Sequence, residues 1–224
     1  MEEMDKFAEK ANKAAKALSA STTAYTDAAL IYYQQGLEGK AVEERAETTL
    51  KLANVTGQSA EEISQNLTAV WNNFYDGSKP LEYYADVMTA LGAATASSSK
   101  EIAEGLEKFA AVADTVGLSY EYATSALATV TAQTRQSADV VGTAFKTLFA
   151  RIQDLELGKT LDDGTTLGSY SEALSKVGVD IKNTDGSLKS MNQTLDEMGA
   201  KWDTLGQDQK VALAKSVAGI RQYT

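Results

Sequence analysis

The sequence predicts a mainly α fold of repeated helical hairpins with a period of about 39 residues, forming an array or an irregular bundle. Its 224 residues are 43% hydrophobic and include one proline, a composition that favours long helices around a buried core. Apolar residues recur at helical spacing. A Thr-x-x-Ser motif returns at residues 56–59, 95–98 and 134–137, so its copies lie 39 residues apart.

Residues 1–20 predict an amphipathic N-terminal helix. Phe7, Ala11, Ala14 and Leu18 follow helical spacing, and the segment lacks the apolar core of a signal peptide. The strongest apolar cluster nearby, AALIYY at 28–33, is too short to span a bilayer. We therefore expect no membrane-spanning segment.

Residues 21–154 predict the hairpin repeat region. Ser59, Ser98 and Ser137 are expected to be helix N-caps, with Glu62 and Glu101 completing capping boxes. PLEYYADVMTAL at 80–91 aligns with SYEYATSALATV at 119–130, which predicts a second helix in each unit. A degenerate earlier unit fits residues 23–53. Four, eight and eleven positions after the serines, apolar residues share one helix face: Ile63, Leu67, Val70; Ile102, Leu106, Phe109; Val141, Phe145, Leu148.

Residues 155–224 predict a polar loop, a short hairpin and C-terminal helices. Helices are expected at 169–177, 192–204 and 207–220, and SYSEAL at 169–174 fits the second helix of a further unit displaced by an insertion. Trp202 continues an apolar helical pattern and is assigned to a core face. The chain stops inside an expected helix, which favours a truncated piece of a longer protein.

The stretch GVDIKNTDGSLKSM at 178–191 is the one non-helical insertion expected in this region. An EF-hand loop with Gly186 at its sixth position would place Ile181 first and Asn192 twelfth, so both anchoring carboxylates are missing. A short β-hairpin fits better, because the Asp-Gly pair supplies the positive φ of a tight turn. Its strands would be 179–181 and 187–189.

Composition excludes several kinds of chemistry. The chain has no cysteine and no histidine, which removes disulfides, Cys/His zinc sites and imidazole-dependent triads. It has no GxxxxGK[ST] or GxGxxG motif, and no carboxylate pair stands out as glycosidase-like. We predict no catalytic, metal-binding or cofactor-binding residue. The formal net charge of −10 disfavours nucleic-acid binding.

The order of three motifs resembles the core region of phage tail tape measure proteins, of the phage minor tail protein type. They are GVDIKNTDGSLKSM, LDEMGAKW and ALAKSVAGIRQ, and the resemblance spans residues 25–224. The residues that carry the fold and the resemblance are the three N-cap serines with Gly178, Gly186, Trp202, Gly219, Arg221 and Gln222. Arg221 is expected to pair with an acidic neighbour or to contact a partner, and structural pairing is favoured.

The resemblance implies a non-enzymatic structural and assembly role in a phage or prophage tail. Proteins of this type occupy the tail tube lumen, help set tail length and leave ahead of the DNA. Implied partners are the tail tube protein, tail assembly chaperones and tail tip proteins, with self-association in the tail. The implied location is the virion tail, and the host cytoplasm during assembly. The alternatives are a cell-wall hydrolase module of a tail protein and a helical membrane-active effector.

Overall fold

The computed structural model describes residues 2–219, which fold into eleven α-helices with no regular strand among them. The predicted mainly α class is therefore confirmed. The helices are α1 (Glu2–Ala17), α2 (Thr22–Gln34), α3 (Lys40–Thr56), α4 (Ala60–Phe74), α5 (Leu81–Ala94), α6 (Ser99–Thr115), α7 (Tyr120–Thr134), α8 (Ala138–Glu156), α9 (Leu167–Ser175), α10 (Met191–Trp202) and α11 (Gln207–Ala218).

Each Thr-x-x-Ser motif forms a corner that ends one helix and begins the next. The hydroxyls of Thr56, Thr95 and Thr134 donate to the carbonyl four residues earlier, at 2.8, 2.8 and 2.7 Å. Each also accepts an N–H from two residues later. The N–H two residues after each threonine, which lies beyond the helix end, thus finds an acceptor within the motif. Three or four residues are enough to turn the chain.

The helices stack as two series of neighbours. The first-helix series is α2, α4, α6 and α8, and consecutive members contact each other. The second-helix series is α3, α5 and α7, again in consecutive contact. Within a unit, α2 packs on α3, α4 on α5 and α6 on α7. This arrangement is that of a repeat array, in which each unit buries its apolar face against its neighbours.

The aligned apolar positions form the core of the first-helix series. In α4 and α6, all six of these side chains are at most 1% exposed. In α8, Val141 is buried, but Phe145 and Leu148 are only partly buried. The earlier unit follows the same pattern from Ser21, the N-cap of α2, whose fourth, eighth and eleventh followers are all buried: Tyr25, Ala29 and Tyr32.

Two helix backbones lie in direct contact where α6 meets α8. A Cβ atom on Gly142 would lie 2.5 Å from the carbonyl oxygen of Gly105 and 3.1 Å from its Cα. Glycine lets the two backbones touch, and Phe109 of α6 packs beside this crossing on Phe145 and Phe149 of α8, with ring centroids 5.2 and 6.0 Å apart. The pair therefore combines backbone contact with aromatic packing.

The insertion at 178–191 is a hairpin turn held by one isolated antiparallel bridge, between Lys182 and Leu188. The predicted strands at 179–181 and 187–189 do not form. The physical reason is burial: Val179 and Ile181 are 0% and 5% exposed and belong to the helical core, whereas Leu188 is 40% exposed. Pairing therefore stops at the turn, as expected for two short strands without a covering sheet.

The fourth unit is interrupted between its two helices. The predicted helix at 169–177 is present as α9, at residues 167–175, but the two hydrogen bonds that α7 and its N-cap form with this part of the chain go to α10. The Tyr122 hydroxyl donates to Asp196 Oδ1 at 3.0 Å, and the Asn192 amide donates to Ser119 Oγ at 3.4 Å. Helix α11 then packs against α8 and α9. The loop, α9 and the hairpin turn thus separate α8 from α10 in the chain.

Candidate functional site

The three serines selected from the sequence lie at separate corners, each as the N-cap of a first-series helix. Ser59, Ser98 and Ser137 accept the N–H three residues later, at 3.2, 3.2 and 3.4 Å. Glu62 and Glu101 accept the serine N–H in return, at 3.2 and 2.7 Å. Such bonds hold helix ends. They are local to each corner and do not converge on one cleft.

A ladder of glutamates connects α1, α3, α5 and α7. Glu43, Glu82 and Glu121 are spaced at 39 residues, and each carboxylate accepts a bond from the helix one step earlier. The aligned segments at 80–91 and 119–130 contain Glu82 and Glu121 but not Glu43. Subtracting 39 residues from Glu82 predicts Glu43. The donors are Lys10, Lys51 and Tyr83, at distances of 2.6, 2.6 and 2.7 Å.

The ladder has one further step, from α7 to α10. Asp196 accepts the Tyr122 hydroxyl, and burial together with this carboxylate raises the pKa of Tyr122 to about 12. The phenol therefore remains a hydrogen-bond donor at neutral pH. The 39-residue spacing does not predict this contact, because the insertion moves Asp196 out of the register.

Hydrogen bonds from buried aromatic side chains connect α4, α5 and α7. Trp71 Nε1 donates to the Leu81 carbonyl at 3.2 Å, and the Tyr84 hydroxyl donates to the Phe74 carbonyl at 2.8 Å. The Tyr120 hydroxyl donates to the Tyr84 carbonyl. Burial raises the pKa of Tyr120, so this hydroxyl also keeps its proton. The first two bonds join α4 to α5 within one unit, and the Tyr120 bond joins that unit to the next.

A cavity of about 810 Å³ lies between α8, the loop after it and the end of α11. Arg151 on its wall bonds Asp163 Oδ2 and Thr165 Oγ1, each at 2.8 Å. The Thr165 hydroxyl, then the Arg151 guanidinium, hold the pKa of Asp163 below its usual range. Arginine and carboxylate thus neutralise each other and fasten the loop to α8, which is a structural use of both groups.

Trp202 does not belong to the core, so the core-face assignment is wrong. Its side chain is 39% exposed, and Lys210 Nζ lies 5.6 Å from the ring centroid. Trp202 is the last residue of α10. The core face of this helix consists of Met191, which is buried, and Leu195 and Met198, which are partly buried. Trp202 occupies the next position of this spacing, but the helix ends there and its ring stays exposed.

The glycines chosen from the sequence occupy positions with positive φ. Gly186 has φ +89 in the hairpin turn and Gly178 has φ +78 just before it, a conformation that glycine adopts without steric cost. Gly219 has φ +78 after α11 and lies against the Arg151 guanidinium. Arg221 and Gln222 lie outside the described residues.

Within residues 2–219, no cluster of three or more acidic side chains has a geometry suited to a metal ion. Over the same range, none of the helices combines the length and hydrophobicity needed to cross a membrane. The organised features of the described chain are the capped corners, the glutamate ladder and the buried aromatic bonds. All three connect one helix of the array to the next.

Similarity to known proteins identifies the family of the chain. No solved structure matches the chain. The family described as phage-related minor tail protein matches residues 8–219, a range that includes ten complete helices and most of α1. The match thus covers both the repeat region and the segment that follows it. The chain belongs to the phage-related minor tail protein family.

Proposed function

We propose that this chain is a structural and assembly domain of a tail tape measure protein. It would occupy the lumen of the tail tube of a phage or prophage, help set tail length and aid genome delivery. The observation that carries the proposal is the family match over residues 8–219 on a chain that contains successive two-helix units of about 39 residues. A protein that measures length needs a regular relation between residues and distance, and a repeat array has one.

Helix geometry gives the distance that one repeat unit would span. Continuous helix rises 1.5 Å per residue, so one 39-residue unit laid end to end spans about 60 Å. The same unit in the stack adds only the spacing between packed helices, about 8–10 Å. The chain would therefore measure length efficiently only after the stacked hairpins open.

The charge of the chain suits a conduit that DNA later enters. The formal net charge is −10, and a like-charged duplex is repelled rather than bound. The protein would then leave the tube ahead of the genome without binding the DNA. The partners in this proposal are the tail tube protein, the assembly chaperones, the tail tip proteins and further copies of the chain. Assembly would begin in the host cytoplasm and end in the virion tail.

Deleting one unit in the encoding phage tests the proposal. Removal of residues 98–136 joins Ser97 to Ser137 and recreates a Thr-Ala-Ser-Ser corner. Electron microscopy should show tails shorter by about 60 Å, and a tandem duplication of the same 39 residues should lengthen them equally. Tails of unchanged length in both variants would contradict a length-setting role. Tails that change by only about 10 Å would mean that the unit stays folded in the tube.

A further inference from the structure

Burial is unequal along the array. Helix α6 buries seven of its residues, whereas α10 and α11 bury two each. At the other end, the buried side chains described in α1 are two alanines, Ala11 and Ala15. Because the hydrophobic contribution scales with the apolar area removed from water, the middle helices are held more strongly than those at either end.

The contacts that hold the middle differ in kind from those at the ends. Between α4 and α7 the exposed Tyr83–Glu121 bond is accompanied by three bonds that the buried side chains of Trp71, Tyr84 and Tyr120 donate. Beyond them, α1 reaches α3 through Lys10 and Glu43, whose side chains are 62% and 31% exposed. Exposed ion pairs contribute little, whereas breaking a buried hydrogen bond leaves an unsatisfied polar group.

The seam between α6 and α8 adds a second restraint to the middle. Gly142 rests on the backbone of Gly105, and three phenylalanine rings pack beside this contact. Close-packed surfaces of this type separate all at once, since a small displacement already loses much of the dispersion energy. Helix α8 is therefore joined to the block that the buried hydrogen bonds hold together.

From this gradient we propose that the array opens in a fixed order. Helices α1 and α9–α11 open first, and the central block, defined as residues 60–156, opens last. The fold thus contains a built-in sequence of release, with separate opening of the ends and one cooperative middle. This order follows from the contacts alone and stands whether or not the chain enters a tail tube.

Native-state hydrogen exchange of the full chain, read by mass spectrometry, tests the order. Peptides from α1, α10 and α11 should exchange through low-energy openings, and peptides from α4, α6 and α8 only through the highest-energy opening. A single opening free energy for all helices would overturn the proposal. Longer protection of α10 or α11 than of α6 would overturn it as well.

Two glycine variants sharpen the test. Gly142→Ala should reduce protection in the central block roughly thirtyfold and leave α1 and α10 unchanged, because the ends open without it. Gly199→Ala is the matched control, since its Cβ would meet no atom within 4 Å, and it should raise protection in α10 and lower it in no helix. Equal loss in every helix of Gly142→Ala would contradict the proposal. If that variant does not fold, Tyr120→Phe, which removes one buried bond, should produce the same pattern.

Discussion

Gly142→Ala tests the stacking geometry where the backbones of α6 and α8 lie in contact. The new Cβ would lie 2.5 Å from the Gly105 carbonyl oxygen, whereas ordinary contact begins at 3.4 Å. Because the obstacle is the backbone of a buried helix, no side-chain rotation relieves it. Helix α8 would have to move by about 1 Å in a core with little free space. That movement would also loosen the Phe109 contacts with α8.

The expected magnitude combines two opposing effects. Overpacking a core costs about 1–3 kcal/mol, and a backbone obstacle places this site near the upper end. Alanine regains about 1 kcal/mol of helix propensity relative to glycine. The free energy of unfolding should therefore fall by about 2 kcal/mol, which lowers Tm by roughly 4–8 °C in a chain of this size.

Thermal unfolding followed by far-UV circular dichroism measures this shift. Gly199→Ala is the matched control, because it gains the same helix propensity where the new Cβ meets nothing within 4 Å. Its Tm should rise by about 2–4 °C. If Gly142→Ala raised Tm by as much as Gly199→Ala, then α6 and α8 would not approach each other at these glycines, and the described seam would be wrong.

Three further predictions concern the corners and the tryptophans. Ser98→Ala should lower the urea-unfolding free energy by about 1 kcal/mol whereas Ser98→Asp retains it; equal stability of both variants would contradict the cap. The bond from the Ser59 N–H holds the pKa of Glu62 below 4.5, so its stabilisation is complete above that pH and is lost as pH falls through the lower folded value. The urea midpoint of Glu62→Gln should accordingly change less with pH below 4.5 than that of the unaltered chain, and parallel curves would refute this. Trp71→Phe should cost about 2 kcal/mol or more, but Trp202→Phe less than about 0.5 kcal/mol, and similar losses would contradict their different burial.

The repeat and its caps were predictable because their causes are local. A threonine and a serine three residues apart satisfy the ends of two consecutive helices by themselves. The three copies at 56–59, 95–98 and 134–137 therefore form the same helix corner at each place in the chain. Fixed spacing then identified the buried face of each first-series helix. The earliest unit, which begins at Ser21, was harder to recognise because its core positions hold tyrosine and alanine.

Other features were not predictable because neighbours determine them. Nothing in the helical sequence around Gly142 indicates that another glycine lies against it, so in isolation it reads as a weak helix former. The spacing of Trp202 fits an apolar face, yet the helix ends at that residue and leaves the ring exposed. The position of Asp196 beside Tyr122 depends on the long insertion, which removes this contact from any fixed offset.

The most direct test of the central claim is to add one unit to the chain. In a tandem duplication of residues 98–136, the new unit should insert between existing ones and extend the stack by one helix spacing. Small-angle X-ray scattering should give a maximum dimension larger by about 10 Å, with the helical fraction in circular dichroism unchanged. An unchanged dimension, or added residues that are not helical, would contradict the claim that this chain is an array of equal 39-residue units.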